Sequence, residues 1–216
     1  MEKIGLSPEV LLRAYAAGVF PMAESRGDAM LHWIDPPRRG VLPLDGFHMS
    51  RSLRRRILRT PWRVSVDSAF CEVMRGCADR PETWINGAIM DLSLALHRRG
   101  HAHSVEVWEE QALVGGVYGV ALGSAFFAES MFSRRTDASK AALAWLVDRL
   151  REAGFSLCDT QFLTPHLQSL GGMEIGRAAY RRHLAQALAG RADFGAPALP
   201  DAQGLVQRIS QMSKRG

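Results

Sequence analysis

The sequence predicts a protein of the α+β class in which a mostly antiparallel sheet is flanked by helices. Three observations lead to this prediction. Apolar, β-rich runs fill much of residues 101–133, segments of helical periodicity lie on both sides of them, and 47% of the 216 residues are hydrophobic. Such a chain has enough apolar material for a substantial core, which excludes disorder as its main state.

The first part of the chain, residues 1–80, predicts a small α+β domain. Ser7 followed by Pro8 is typical of a helix start, and Gly18 is typical of the end of that helix. Further elements are predicted after this helix. They are an extended segment (19–22), two short strands around a proline turn (31–44), an arginine-rich helix capped by Ser50 (50–59), a strand (63–66) and a helix (69–77).

A polar loop around Pro81 marks the predicted border of a second domain, residues 81–190. A helix through Leu92 and Leu96 opens this domain. The alternating apolar and polar side chains of residues 101–108 then predict its first strand.

Residues 112–133 predict a buried antiparallel hairpin. Gly123-Ser124 divides the run, and this dipeptide can take the positive φ values of a tight turn. Glu129 lies in the second strand, where an ionised carboxylate without partners is costly to bury. It therefore indicates either a functional site or the point at which the strand reaches the surface.

The rest of the second domain predicts a helix, a strand, a short helix and a further helix, in residues 137–154, 155–163, 164–172 and 177–188. This order of elements is that of an N-acyltransferase-like domain. Asp159 and Gln161 are two residues apart on the strand, which predicts that both lie on one face, either in a site or toward solvent. Residues 191–216 predict a poorly anchored tail because Gly, Pro and polar residues are frequent there.

Several classes of protein are not supported by the sequence. The chain does not begin with a cationic segment and an apolar run, so no secretory signal is predicted and a cytoplasmic location is expected. The uncharged residues 112–128 fit paired strands better than a membrane helix, which needs about 20 apolar residues. Neither a disulfide framework nor a metal site is predicted from the spacing of Cys71, Cys77, Cys158, His97, His101 and His103.

The net charge of +5 favours a polyanionic partner such as a nucleic acid. A cluster of arginines strengthens this prediction, because several guanidinium groups close together can meet a phosphate backbone at once. The alternative is that the cluster is only the solvated face of a helix. Its members are Arg51, Arg54, Arg55, Arg56 and Arg59.

No cofactor is predicted. An acyltransferase that uses coenzyme A needs a glycine-rich turn whose backbone N–H groups hold the pyrophosphate, and the corresponding turn at residues 133–140 contains no glycine. The chain also lacks the serine nucleophile elbow, the phosphate-binding loop of nucleotide hydrolases and the paired histidines of zinc proteases.

Motifs between Leu11 and about Leu188 carry a more specific signal. They occupy residues 17–22, 38–41, 47–53, 83–85, 100–108, 115–120, 129–134 and 159–161. Together these segments resemble the bacterial leucyl/phenylalanyl-tRNA–protein transferases. The resemblance implies that Leu, Phe or Met passes from an aminoacyl-tRNA to proteins that begin with Arg or Lys, which marks them for degradation by the N-end rule. It also implies an N-acyltransferase-like C-terminal domain.

The resemblance implies roles for individual residues as well. Asp159 and Gln161 match the catalytic pair, with Glu129 nearby. Trp33 and Trp84 would stack on the 3′-terminal adenine, as aromatic rings commonly do with unpaired bases. The aminoacyl side chain would lie in a pocket formed by Val117, Phe126, Ser130, Met131 and Leu146, and the tRNA would contact Arg51, Arg54, Arg55, Arg56 and Arg134.

This activity needs no nucleophile from the enzyme, because the aminoacyl ester is already activated and the acceptor α-amine attacks it. Gln161 either takes a proton from the amine or only orients it, and the weak basicity of an amide favours orientation. Asp159 would hold Gln161 or, like Glu129, pair with the cationic acceptor. The rival hypotheses are an N-acyltransferase that uses coenzyme A and a non-catalytic RNA-binding module.

Overall fold

The computed structural model of the chain describes residues 6–28 and 30–212. The helices in these ranges are Pro8–Ala16 (α1), Arg51–Arg59 (α2), Phe70–Ala78 (α3), Gly87–Arg98 (α4), Ala138–Glu152 (α5), Pro165–Ser169 (α6), Arg177–Ala189 (α7) and Ala202–Met212 (α8). The strands are Phe20–Met22 (β1), His32–Ile34 (β2), Arg38–Val41 (β3), Trp62–Val66 (β4), Ala102–Glu109 (β5), Ala112–Leu122 (β6), Ala125–Ser133 (β7), Leu157–Gln161 (β8) and Met173–Gly176 (β9).

Seven strands form one sheet in the order β4-β5-β6-β7-β8-β3-β9, and β1 pairs separately with β2. Within the large sheet only β7 and β8 are parallel, and helix α5 connects them. The predicted α+β class, with a mostly antiparallel sheet flanked by helices, is confirmed.

The large sheet is buried on both faces. Helix α5 covers one face, where Leu143 and Leu146 pack with apolar residues of β5, β6 and β7. Helices α1, α3, α4 and α7 cover the other face, where Tyr15 and Tyr180 belong to a second apolar cluster. Burial on both faces explains why β6 reads as an almost continuous apolar run rather than an alternating one.

The predicted turn at Gly123-Ser124 is present between β6 and β7. Gly123 has a φ of 62°, and a Cβ atom at this position would lie 2.7 Å from the carbonyl oxygen of Ala187. A side chain would therefore meet both backbone strain and a close contact with α7, so glycine is required here.

Three features of local structure go beyond the predictions or differ from them. The two strands predicted around the proline turn are present, but they do not pair with each other, because β2 pairs with β1 whereas β3 lies between β8 and β9. Strand β9 was not predicted, since its four residues are too few for their alternation to indicate a strand. The expectation of a poorly anchored tail was wrong. The segment after residue 190 is anchored, because α8 buries Leu205 and Ile209 and packs against α5 and α2.

Both sides of the predicted domain border near residue 80 contribute strands to the large sheet. Strands β3 and β4 precede the border and pair with β8 and β5, which follow it. The division into residues 1–80, 81–190 and 191–216 stays a prediction, but the first two segments share one sheet. No helix within residues 6–28 and 30–212 combines the length and the apolar character needed to cross a membrane.

Candidate functional site

A cleft opens where the two parallel strands stop pairing. Strands β7 and β8 are paired only from Ala125 and Leu157 to Phe127 and Asp159, although both continue beyond this point. The residues that follow on each strand line a cavity of about 730 Å³. Further walls come from β1, α6, the first half of α5, the end of α3 and the segment between α3 and α4.

Both strands carry a β-bulge beside the cleft. The register of β7 with β6 skips Glu129, and the register of β8 with β3 skips Thr160. A bulge adds one residue to a strand and changes the direction of its side chain, and such features are frequent next to active sites. Here both extra residues line the cavity.

The Glu129 carboxylate is held by two neutral donors. Its Oε1 accepts hydrogen bonds from the Tyr15 hydroxyl at 2.8 Å and from Nε2 of Gln161 at 3.0 Å. Burial and the nearby charge of Asp159 raise the pKa of Glu129 to about 8, against the lowering effects of these hydrogen bonds and of Arg39. Within the described residues Oε2 has no hydrogen-bond partner, so it is available to a ligand in the cleft.

Gln161 is fixed at both its backbone and its side chain. Its φ is 57°, a left-handed conformation that is strained for a residue other than glycine, and its backbone N–H donates to Oδ1 of Asp159 at 2.8 Å. Its side-chain nitrogen donates to Glu129, which leaves the side-chain oxygen as the free acceptor of the amide. On β3, Gly40 permits this arrangement, since a Cβ there would lie 2.6 Å from the carbonyl carbon of Phe162.

Asp159 lies behind the cleft in a sealed ion pair. Arg39 donates to both of its carboxylate oxygens at 2.7 to 3.1 Å, and the Tyr180 hydroxyl donates to Oδ2 at 2.6 Å. The side chains of Arg39 and Asp159 are 1% and 0% exposed. The rings of Phe20 and Tyr180 lie 4.6 and 4.4 Å from the Arg39 guanidinium, a distance typical of cation–π contacts.

The pairing of Arg39 with Asp159 has consequences for both residues. Burial alone would lower the pKa of Arg39, but the hydrogen bonds and the negative charge of Asp159 outweigh that effect and raise it. The prediction that Asp159 and Gln161 direct their side chains to the same place is wrong, because the Asp159 carboxylate reaches the backbone of Gln161 and does not line the cavity. A two-residue spacing also permits this side-chain to backbone hydrogen bond.

The apolar wall of the cleft differs in part from the predicted one. Of the predicted residues, Trp84, Val117, Ser130 and Met131 line the cavity. Phe126 and Leu146 are fully buried beneath it, and Trp33 is 42% exposed on β2 outside the lining. The apolar lining residues that the sequence analysis did not single out include Phe20, Met22, Leu143, Phe162 and Leu167.

Comparison with known proteins decides the family. A family model described as "Leucyl/phenylalanyl-tRNA protein transferase" matches residues 41–185, and the model of the N-terminal domain of that family matches residues 5–37. A leucyl/phenylalanyl-tRNA–protein transferase from Cereibacter sphaeroides is 64% identical over 209 residues, which are 96% of this chain and 98% of that protein. One from Paracoccus denitrificans is 54% identical over 97% of this chain and 99% of its own length. The chain belongs to the leucyl/phenylalanyl-tRNA–protein transferase family.

The fold of this transferase is also found in a solved structure of low sequence similarity. The crystal structure of FemX superposes with a TM-score of 0.51 at 13% sequence identity, over 78% of this chain and 66% of that chain. The resemblance that the sequence motifs carry is thus confirmed at the level of the family, and the likeness to FemX concerns the fold alone.

The predicted arginine cluster of this transferase forms a second concave surface. Arg51, Arg54 and Arg55 on α2, together with Leu58 and Arg59, line a shallow groove of about 420 Å³. Arg56 lies 3.9 Å from Asp137, just before α5, and Arg134 lines the main cavity. Helix α2, which carries the groove, therefore contacts the start of α5, and Ser139 in the first turn of α5 lines the cleft.

Within the described residues, one group of side chains has the spacing of metal ligands. It consists of Glu24 and Asp28 in the β1–β2 connection and His32 at the start of β2, and all three are exposed or partly exposed. The histidines considered in the sequence are engaged elsewhere in the transferase, since His103 pairs with Asp67 and His97 stacks on Phe70. In the sequence, the signal for the group of Glu24, Asp28 and His32 is the interval of four residues between successive members.

Proposed function

We propose that the cleft binds the aminoacylated 3′ end of a tRNA and that Leu, Phe or Met passes from it to proteins that begin with Arg or Lys. In bacteria this addition would mark the acceptor for degradation by the N-end rule. Aminoacyl transfer from tRNA to protein follows from membership of the family. The observation that carries the proposed site is the pair Glu129 and Gln161, which meets an apolar wall where β7 and β8 separate.

The proposed reaction makes one bond and breaks one. The acceptor α-amine attacks the carbonyl carbon of the aminoacyl ester, and the bond to the ribose oxygen breaks as the proton of the amine passes to that oxygen. An α-amine has a pKa near 8, so a useful fraction is neutral at physiological pH. The protein then has to orient the amine and stabilise the tetrahedral intermediate.

Gln161 is well placed to orient the attacking amine. Because its Nε2 is committed to Glu129, its side-chain oxygen is the atom that would accept a hydrogen bond from the amine. A neutral amide oxygen is a very weak base, so the proposed role is orientation and not proton abstraction.

Asp159, Arg39 and Tyr180 are proposed to act through Gln161 as positioning residues. Asp159 accepts the backbone N–H of Gln161, and the other two residues fix the Asp159 carboxylate. This arrangement holds Gln161 in its strained conformation. Asp159 is fully buried and already paired, so it does not suit the alternative role of binding the cationic acceptor.

Glu129 is the proposed partner of the positive charge on the acceptor. Its Oε2 is free, and an approaching ammonium or guanidinium group would lower its pKa and favour the carboxylate form. Asp79 lines the same cavity and adds a second acidic side chain. An acceptor that begins with Arg or Lys carries two positive charges, which these carboxylates would attract.

The tRNA is proposed to occupy the remaining surfaces. Val117, Met131 and Leu143 provide an apolar wall for the aminoacyl side chain. Trp84 and the exposed Trp33 offer aromatic faces to the terminal adenine. The α2 groove, with Arg134, would meet phosphates farther along the tRNA.

The start of α5 argues against the rival that uses coenzyme A. Asp137 precedes the helix and pairs with Lys140 at 3.0 Å, so a negative charge lies near the helix start and would repel a pyrophosphate. The backbone N–H of Ser139 already donates to the hydroxyl of Ser133. Both features make this helix start a poor site for a pyrophosphate.

A transfer assay separates the hypotheses. Labelled Phe-tRNA is mixed with peptides that differ only in their first residue, and product should appear with Arg or Lys but not with Ala. Consumption of labelled acetyl-CoA without Phe transfer would support the first rival, and tRNA binding without transfer would support the second.

The proposed role of Gln161 has a matched control. Gln161→Ala should reduce kcat by about 10² or more, as expected when orientation of the attacking group is lost. Gln168→Ala, at an exposed position of α6, should leave the rate unchanged. Equal activity of the two variants would remove Gln161 from the proposed mechanism.

A further inference from the structure

Thr160 carries an unexplained hydroxyl beside the proposed reaction centre. It is the extra residue of the β8 bulge, lines the cavity and is 8% exposed. Its Oγ1 is shielded from solvent and has no hydrogen-bond partner within the described residues. Buried hydroxyl groups are nearly always hydrogen-bonded, so an exception in an active-site wall calls for a partner that arrives with the substrate.

The free polar atoms of Glu129 and Gln161 are suited to accept hydrogen bonds. Once a cationic acceptor favours the carboxylate form of Glu129, its Oε2 is an acceptor, as is the side-chain oxygen of Gln161, whereas Nε2 of Gln161 is bound to Glu129. The Thr160 hydroxyl is a side-chain donor adjacent to Gln161 in the chain, and within the described residues it has no hydrogen-bond partner.

Acyl transfer requires such a donor. When the amine attacks the ester, the electron pair of the C=O double bond moves to oxygen, and this oxyanion needs hydrogen-bond donors that are already in place. Acceptors such as Glu129 and Gln161 suit the amine but would repel the oxyanion. The acceptors therefore suit the amine and the Thr160 hydroxyl suits the oxyanion. The two bulges bring both kinds of group into one cavity.

We propose that the Thr160 hydroxyl is a catalytic residue that donates a hydrogen bond to the carbonyl oxygen of the aminoacyl ester and to the oxyanion it becomes. This inference rests on the proposed function, since it needs an ester in the cleft. The hydroxyl keeps its proton throughout. The negative charge returns to re-form the carbonyl when the ribose oxygen leaves, and that oxygen takes the proton of the attacking amine.

The bulge explains how this residue comes to lie in the wall of the cleft. Asp159 directs its side chain to Arg39, and Cys158 is fully buried in the cluster under α5. The bulge interrupts the regular alternation at Thr160. Threonine is branched at Cβ and has few side-chain conformations, so its hydroxyl loses little freedom when it binds a substrate.

Two substitutions test the inference. Thr160→Val keeps the shape of the side chain and removes the hydroxyl, whereas Thr160→Ser keeps the hydroxyl. Single-turnover transfer from Phe-tRNA to a peptide that begins with Arg should slow by about 10- to 10³-fold in the valine variant, with the KM for Phe-tRNA unchanged. The serine variant should stay within about fivefold of the wild type.

Thermal unfolding distinguishes the catalytic role from a purely structural one. If Thr160 were only structural, Thr160→Val would lower the Tm. Because Thr160→Val removes an unpaired buried hydroxyl, its Tm should equal or exceed that of the wild type while its rate falls. If the valine variant is both slow and unstable, the serine variant decides. The inference then stands only if the activity of Thr160→Ser is close to that of the wild type.

Several outcomes would overturn the inference. They are an unchanged rate in the valine variant, a raised KM with unchanged kcat, and a serine variant as slow as the valine one. These results leave wild-type transfer intact, so they are distinguishable from failure of the proposed function, in which the wild type itself would not transfer Phe to the peptide.

Discussion

The cleft and the α2 groove, the two proposed binding surfaces, differ in their physical character. In the cleft Glu129 and Gln161 are hydrogen-bonded to each other, and the ion pair behind them is removed from water. In the groove the arginines are exposed, and several of them are proposed to neutralise phosphates together. We therefore expect that no neighbour replaces a side chain removed from the cleft, whereas neighbouring arginines compensate for one arginine removed from the groove.

Removal of Arg39 is the strongest test of this difference. Arg39→Met leaves Asp159 buried without a counter-charge, which should lower the free energy of unfolding by about 3–5 kcal/mol. Arg38→Met is the matched control, because its ion pair with Glu174 is exposed and should contribute less than about 1 kcal/mol. Urea unfolding measures both values, and similar losses in the two variants would contradict the sealed pair.

A double substitution separates stability from positioning. Arg39→Met combined with Asp159→Leu replaces the ion pair by apolar groups and should recover most of the lost stability. Transfer should remain reduced by about 10² or more, because the backbone N–H of Gln161 then lacks its acceptor. Recovery of both stability and transfer would assign the pair a structural role only.

Glu129 gives the second largest effect, and it depends on pH. Its pKa is about 8 in the folded protein and near 4.5 in the unfolded chain, so the folded protein retains a proton that the unfolded chain releases. The free energy of unfolding should therefore fall as pH rises from 4.5 to 8 and show no further change from this group above 8.

The variant Glu129→Gln isolates this contribution. It lacks the titrating proton, so its stability relative to the wild type should increase across the same pH window. Glu72→Gln, at an exposed position of α3, should show no such trend. If the difference in free energy of unfolding between Glu129→Gln and the wild type does not change with pH, the raised pKa of Glu129 is contradicted.

An intermediate effect is expected for Trp84, which lines the cleft and is proposed to stack on the terminal adenine of the tRNA. Trp84→Ala should weaken binding of aminoacyl-tRNA by about 1–3 kcal/mol, the usual value of one stacked base, and Trp84→Phe should recover part of it. Fluorescence anisotropy with labelled tRNA measures this change. Equal affinity of the alanine variant and the wild type would exclude stacking on Trp84.

The smallest effect is expected in the groove. Arg54→Ala should reduce tRNA affinity by less than about fivefold and lower the slope of log affinity against log salt by about 1. Arg182→Ala, exposed on α7, should change neither value. A loss above tenfold from Arg54→Ala would indicate a specific contact and would remove the distinction between groove and cleft.

The sequence predicts the parts of the fold that depend on local signals. The caps at Ser7 and Ser50 and the turn at Gly123 are present where expected, because each acts within a few residues. Strand β9 has only four residues and depends on a distant partner, so its segment gives no clear signal. Helix α8 has apolar residues at the helical spacing of Leu205, Val206 and Ile209, but its packing partners α5 and α2 are distant in the chain.

The same reasoning applies to the site. Glu129, Asp159 and Gln161 were found through motifs, whereas Arg39 was not found, because 120 residues separate it from Asp159. Leu143 and Leu146 lie three residues apart on α5 and share its apolar side, so periodicity could not decide which of them lines the cavity.

The position of β3 between β8 and β9 bears on how this protein is made. The strand with Arg39 is synthesised early, but its partners on both sides come from the last third of the chain. Until those segments leave the ribosome, both edges of β3 lack their partners, and distant contacts of this kind form slowly. Chains released before residue 176 lack part of this sheet, so translation must be nearly complete before the enzyme can act.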